Sequence, residues 1–150
     1  MVEFESDDEI LDLAIAREED ANKFYLALAA RAQTAEMRKV FEDLAGEEIE
    51  HKARLELEVI KSGRVVTATE ELDIGDEGAI GITDSDIDMD YKDMLLMAMQ
   101  KEESSFRLYV DLSARVTSED ARETLLSLAE EEVKHKLRFE IEYDNLMKAD

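Results

Sequence analysis

The chain repeats itself. Shifted by 84 residues, positions 11–60 fall on positions 95–144 without a gap, and about 18 of 50 are identical. AREEDANKFYLALAAR lies over QKEESSFRLYVDLSAR, and FEDLAGEEIEHKARLELE over LLSLAEEEVKHKLRFEIE. A repeat of this kind limits the fold more than any composition does: whatever one half forms, the other must form too. With two copies and no third, the chain is a duplicated unit rather than a solenoid.

Each half reads as two helices. Proline is absent, glycine occurs five times, and Ala, Leu, Glu, Met, Lys and Arg dominate, which is a helix-former's composition. Ser6 with Glu9 forms a capping box. Thr34, either Asp88 or Asp90, and Ser118 are suited to cap the next three helices. These signals predict helices over about 7–32, 35–62, 89–116 and 119–148. The turns within each half are short, so each half is an antiparallel hairpin. Four of the five glycines lie between the halves, in a crossover over about 63–88. Helices of this size are roughly 40 Å long, and a connection of about 27 residues can span that length. The predicted fold is all-α: an antiparallel four-helix bundle of two duplicated hairpins joined by one long crossover. The Val65-Val66 pattern is too short to assign.

The inward stripe of each predicted helix is not wholly apolar. The first carries Leu11, Ala14, Glu18, Ala21, Tyr25, Leu28 and Ala32, and the third repeats it as Leu95, Ala98, Glu102, Ser105, Tyr109, Leu112 and Val116. The second carries Met37, Phe41, Leu44, Glu48, His51 and Leu55, and the fourth Ala121, Leu125, Leu128, Glu132, His135 and Phe139. Three- and four-residue steps place these positions on one helix face. Four carboxylates and two imidazoles therefore point into one core. Unpaired, they would be untenable: buried carboxylates are costly and repel one another. Two divalent ions would neutralise four carboxylates, and the neutral imidazoles would complete the coordination. In each Glu-x-x-His pair, Glu48 with His51 and Glu132 with His135, both side chains share a face and can chelate together. Folding each hairpin at its turn brings Glu18 level with Glu48, and Glu102 level with Glu132. The chain's two histidines both fall in this set.

Neighbouring residues divide between roles. Glu47 and Glu131 lie off the stripe and read as a solvated flank. Glu19 and Glu103 become the inward residues if the first and third helices are phased one residue later. Glu58 and Glu142 fall near the end of the bundle. Tyr25 and Tyr109 lie two turns beyond Glu18 and Glu102, and two readings stand: a hydrogen bond to a carboxylate ligand, or core packing. The methionines of 94–99 are core filling. Gly46, whose counterpart is Glu130, suggests a close helix approach or one-sided access to the site.

The rest of the composition excludes several classes. No cysteine is present, so disulfides and thiolate-held iron–sulfur or rubredoxin-type iron are absent. A net charge of −22 repels nucleic acid and anionic lipid and attracts cations. No apolar run reaches the roughly 18 residues of a membrane span. The acidic N-terminus is not a targeting peptide, which points to the cytoplasm.

At Glu18-x-x-Ala21-x-x-Phe24-Tyr25 with Glu48-x-x-His51, and at Glu102 and Tyr109 with Glu132-x-x-His135, the sequence resembles the rubrerythrin-related branch of the ferritin-like di-iron carboxylate proteins. The resemblance covers nearly everything but the crossover. It implies a ferritin-like bundle holding two iron ions, with Glu18 and His51 terminal on one, Glu102 and His135 terminal on the other, and Glu48 and Glu132 bridging. Manganese or zinc suits the same donors. It further implies a reduced centre that reacts with hydrogen peroxide or dioxygen, and a homodimer. Two departures stand out. With no cysteine-held iron, electrons would come from a separate donor protein. Ser105 occupies the position where rubrerythrin places an extra glutamate, three residues after Glu102. Two other functions share the pattern: a ferroxidase or iron-storage protein, and a non-catalytic metal-binding bundle.

Overall fold

In a computed structural model, residues 6–63 and 90–148 are described. They form four helices: α1 (Asp7–Arg31), α2 (Ala35–Lys61), α3 (Tyr91–Ser113) and α4 (Glu119–Lys148), with no strand among the described residues. The caps follow side-chain chemistry at each start. Ser6 Oγ accepts from Glu9 N at 3.3 Å, Thr34 Oγ1 from Met37 N at 3.1 Å, Asp90 Oδ1 from Asp93 N at 2.9 Å, and Ser118 Oγ from Ala121 N at 3.2 Å. Gly63 follows α2 with φ 91°, a left-handed conformation that glycine adopts without strain. The crossover beyond Gly63, the Val65-Val66 pattern and the alternative cap Asp88 lie outside the described residues.

The third helix is shorter than the sequence pattern suggests, ending at Ser113 rather than near 116. Ser113 Oγ donates to Val110 O at 2.7 Å, and Arg122 Nε takes the Ser113 carbonyl at 3.1 Å. Those local bonds offer the backbone an alternative to another helical turn.

Every adjacent pair of helices is antiparallel, and cross-helix bonds fix the register. Asn22 Nδ2 donates to Ala45 O at 2.8 Å, and Ser62 Oγ to Asp8 at 3.0 Å, tying α1 to α2. Lys136 Nζ reaches Glu103 at 2.8 Å across α3 and α4. Thr124 Oγ1 donates to Glu58 at 2.8 Å across α2 and α4. Thr117 N donates to Asp7 at 2.9 Å, tying the start of α1 to the end of α3. The C-terminal end of α2 and the N-terminal end of α3 therefore stand at opposite ends of the bundle.

The hydrophobic core is in two parts. One gathers Ile10, Leu11, Ala14, Leu55, Val59, Leu112 and Leu125. The other gathers Phe24, Leu28, Phe41, Leu44, Met94, Leu95 and Phe139. All four helices contribute to each. Burial of these side chains supplies the main favourable term in folding, about 1.5–3 kcal/mol for each large apolar one. Among the described residues no helix is long and apolar enough to cross a membrane.

Gly46 overturns the expectation attached to it. It is exposed, and a Cβ built there meets nothing within 4 Å, so neither a close helix approach nor an opening to the site accounts for it. The residue simply weakens the middle of α2. Gly46→Ala should stabilise the protein by about 1 kcal/mol, measured as a higher denaturation midpoint with an unchanged slope.

Candidate metal centre

Between the two apolar clusters lies a polar layer. Glu18 from α1, Glu48 and His51 from α2, Glu102 from α3, and Glu132 and His135 from α4 are all buried, the four carboxylates to 1% relative exposure. Helical periodicity brings them there. Each replaces an apolar residue on an inward stripe, so the packing that buries the Leu and Phe residues also buries these. The expected alternatives do not join them. Glu19 pairs with Lys52 at 3.1 Å and Glu103 with Arg107 and Lys136, so the stripes keep the phase read from the sequence. Glu58 bonds Thr124 away from the layer.

The six side chains form two overlapping groups: Glu18, Glu48, His51 and Glu132, and Glu48, Glu102, Glu132 and His135. Within each, one donor atom per residue lies within 4.8 Å of the others. Glu48 and Glu132 belong to both. His51 Nδ1 lies 3.4 Å from Glu18 Oε1 and 3.1 Å from Glu132 Oε1. His135 Nδ1 lies 3.5 Å from Glu48 Oε1 and 3.6 Å from Glu102 Oε2. Yet both Nδ1 atoms, both oxygens of Glu132, Glu18 Oε2, Glu48 Oε1 and Glu102 Oε2 have no hydrogen-bond partner. Buried polar atoms that converge without bonding one another are the arrangement a cation would satisfy. Mixed carboxylate and imidazole donors suit iron, manganese or zinc. The imidazole rings stack nearly parallel, with centroids 5.7 Å apart.

The surroundings are reciprocal between the repeats. Tyr25 Oη donates to Glu102 Oε1, and Tyr109 Oη donates to Glu18 Oε1. Of the two readings open for these tyrosines, the hydrogen bond to a carboxylate holds, and each reaches across to the other repeat. Burial, followed by the nearby carboxylates, raises both phenols well above their ordinary range, so they remain donors.

Two pairs of residues do more than the sequence pattern suggests. Glu47 and Glu131 are partly exposed on the flank, but each also faces an imidazole: Glu47 Oε2 lies 2.8 Å from His135 Nε2, and Glu131 Oε1 lies 3.6 Å from His51 Nε2. Each sits on the far side of an imidazole whose Nδ1 faces the layer, the side from which a carboxylate can orient a metal-binding histidine, while Glu47 Oε2 and His51 Nε2 themselves make no hydrogen bond. Arg17 and Lys101 immediately precede Glu18 and Glu102 and are 3% and 1% exposed. Arg17 Nη2 donates to Ser104 Oγ at 2.7 Å; Lys101 Nζ bonds Asp20 and lies over the Phe24 ring. Burial lowers the pKa of both. A signal for these cations did exist, since 17 and 101 are matching repeat positions.

The sequence model of the Rubrerythrin family matches residues 9–143. The chain belongs to the Rubrerythrin family. Solved structures share the fold of this family member. A hypothetical protein from Pyrococcus furiosus is 25% identical with a TM-score of 0.70, over 97% of this chain and 93% of that one. A manganese catalase from Anabaena is 20% identical with a TM-score of 0.71, over 98% of this chain and 76% of that one. No protein of curated function matches the sequence.

Electrostatics show how the layer of this rubrerythrin-family chain holds protons when no ion is bound. Burial pushes Glu18 from its ordinary 4.5 up to about 7 and raises Glu48 and Glu132 well above the usual range. Burial opposes the charged form of His135, but the nearby carboxylates of Glu102 and Glu48 outweigh it and raise the ring to about 10. A raised carboxyl contributes stability that is complete below its unfolded value and is lost as pH rises through its folded value. The metal-free protein should therefore lose stability as pH rises from 4.5 through about 7 for Glu18, and again towards about 10 for His135. Saturating divalent metal should flatten this decline, because the ions replace the protons. Denaturation midpoints against pH, with and without metal, measure it.

Proposed function

We propose that the chain is a non-haem di-iron oxidoreductase that reduces hydrogen peroxide or dioxygen with electrons from a separate donor protein. One observation carries this reading: two donor groups, joined through Glu48 and Glu132, whose buried atoms lack partners. In it, Glu18 and His51 would hold one ion and Glu102 and His135 the other, with Glu48 and Glu132 available to both. Membership of the Rubrerythrin family and a fold shared with a manganese catalase support it.

A bound metal pair would supply two electrons, one from each ion, so that peroxide is reduced without releasing a radical. The protein's own residues define the rest. Tyr25 and Tyr109 occupy Oε1 of Glu102 and Glu18, leaving Oε2 of each for an ion. Their protons stay on the phenols, close to the carboxylates. The two apolar clusters flank the layer on both sides. Ser105, buried three residues after Glu102, brings no further carboxylate from α3.

Anaerobically reduced, iron-loaded protein mixed with oxidant in a stopped-flow instrument tests the activity. Peroxide should oxidise it faster than dioxygen, and a donor protein should sustain turnover. Equal rates with no turnover would remove the peroxidase reading. Glu48→Ala should cut bound metal from two ions to one or fewer, measured by elemental analysis of protein purified anaerobically, which also identifies the native metal.

A second reading, iron oxidation and storage, draws on the charge of −22, which would concentrate Fe²⁺ at the surface. Size-exclusion chromatography separates the two. A dimer fits the redox enzyme, and a particle of many subunits fits storage.

A further inference from the structure

Resting on the dinuclear reading of the site, we propose that its two halves fill in order, the Glu102–His135 half first, because Arg54 bonds the carboxylate behind His51 while Arg138 is drawn to Asp43 rather than to the one behind His135. Sequence repetition alone would make the halves equal. Glu47 matches Glu131, Arg54 matches Arg138, and His51 matches His135. The difference arises at one more matching pair, Asp43 and Ser127.

Arg54 spans two partners on α4. Its Nη1 bonds Glu131 Oε2 and its Nη2 donates to Ser127 Oγ at 2.7 Å. Held this way, Glu131 stays 3.6 Å from His51 Nε2. Arg138 does not repeat the arrangement. Where Ser127 has its counterpart stands Asp43, an anion, and Arg138 Nη2 lies 3.7 Å from it, beside Lys39 at 3.2 Å. Glu47 is left against His135 Nε2 at 2.8 Å. Glu47 and Glu131 are comparably exposed, with side chains at 44% and 37%, so their partners, not burial, separate them.

The consequence follows from ligand chemistry. A carboxylate facing the outer nitrogen of an imidazole makes the inner nitrogen a stronger donor and offsets the charge of the bound ion. A guanidinium bonded to that carboxylate takes up part of its charge in a charge-assisted hydrogen bond. His135 Nδ1 is thus the stronger donor. The buried cations do not reverse the difference: Lys101 is bonded to Asp20, whereas Arg17, next to Glu18 in the chain, donates to the neutral Ser104. Access runs the same way: His135 is 8% exposed and His51 2%.

Zn²⁺ titrated into the metal-free full chain tests the order, with calorimetry for the steps and ¹⁵N spectra of the two labelled histidines for the location. A metal-free His51→Gln chain assigns the spectra. The first equivalent should shift His135 Nδ1 and leave His51 unchanged, and the second should shift His51. Glu47→Gln should weaken the first step by about 10–100-fold. Asp43→Ser, which releases Arg138 towards Glu47, should weaken it too, and Arg54→Gln should strengthen the second step. All three side chains are partly exposed and lie outside both apolar clusters. His51 shifting first, both shifting together, or an order indifferent to all three substitutions would overturn the inference. Saturation below two equivalents would instead overturn the dinuclear reading, and the inference with it.

Discussion

Four carboxylates buried in one layer are the condition that the rest of the molecule accommodates. Each would cost several kcal/mol if left charged and unpartnered away from water. The bundle meets that cost with several devices at once. The imidazoles of His51 and His135 enter the same layer, phenols cap Glu18 and Glu102, and two cations, Arg17 and Lys101, are buried next to those glutamates in the chain. The layer divides the hydrophobic core in two, and both parts draw on all four helices. Apolar packing above and below thus holds the donor atoms in place without contributing any itself.

Antiparallel register is what turns a sequence repeat into a site. Because α1 and α3 run in opposite directions, two turns beyond Glu18 on one helix is level with Glu102 on the other. The tyrosines therefore meet the carboxylate of the opposite repeat rather than their own. The same crossing places Glu47 behind His135 and Glu131 behind His51. The charge pairing around the layer then differs at few positions. Asp43 against Ser127, and Asp20 against Ser104, redirect arginines and lysines without disturbing the inward stripe.

What could be read from the sequence was whatever a single helix determines. Periodicity placed Glu18, Glu48, His51, Glu102, Glu132 and His135 inward, and the repeat corroborated each through its copy. Capping chemistry marked the starts of all four helices. What could not be read depends on a neighbouring helix. A helical wheel assigns Glu47 and Glu131 to the flank, but whether that flank meets solvent or an imidazole depends on the reach of the helix beside it. Arg17 and Lys101 sit in a charged run that looks solvated until α1 and α3 close over it. Gly46 misled for the opposite reason: its closeness to Glu48 in the chain suggested a part in the site, while its direction is outward.

The crossed contacts have a consequence for origin. One hairpin alone carries a Glu, a Glu-x-x-His and a tyrosine aimed at a carboxylate it does not possess. Its histidine likewise faces outward towards a glutamate it lacks. Such a unit could complete these bonds only against a second copy of itself, as a two-fold symmetric dimer. Joining two copies in one chain would have freed them from being identical. The mismatched pairs at 20 and 104, and at 43 and 127, are differences that a symmetric dimer of hairpins could not have held.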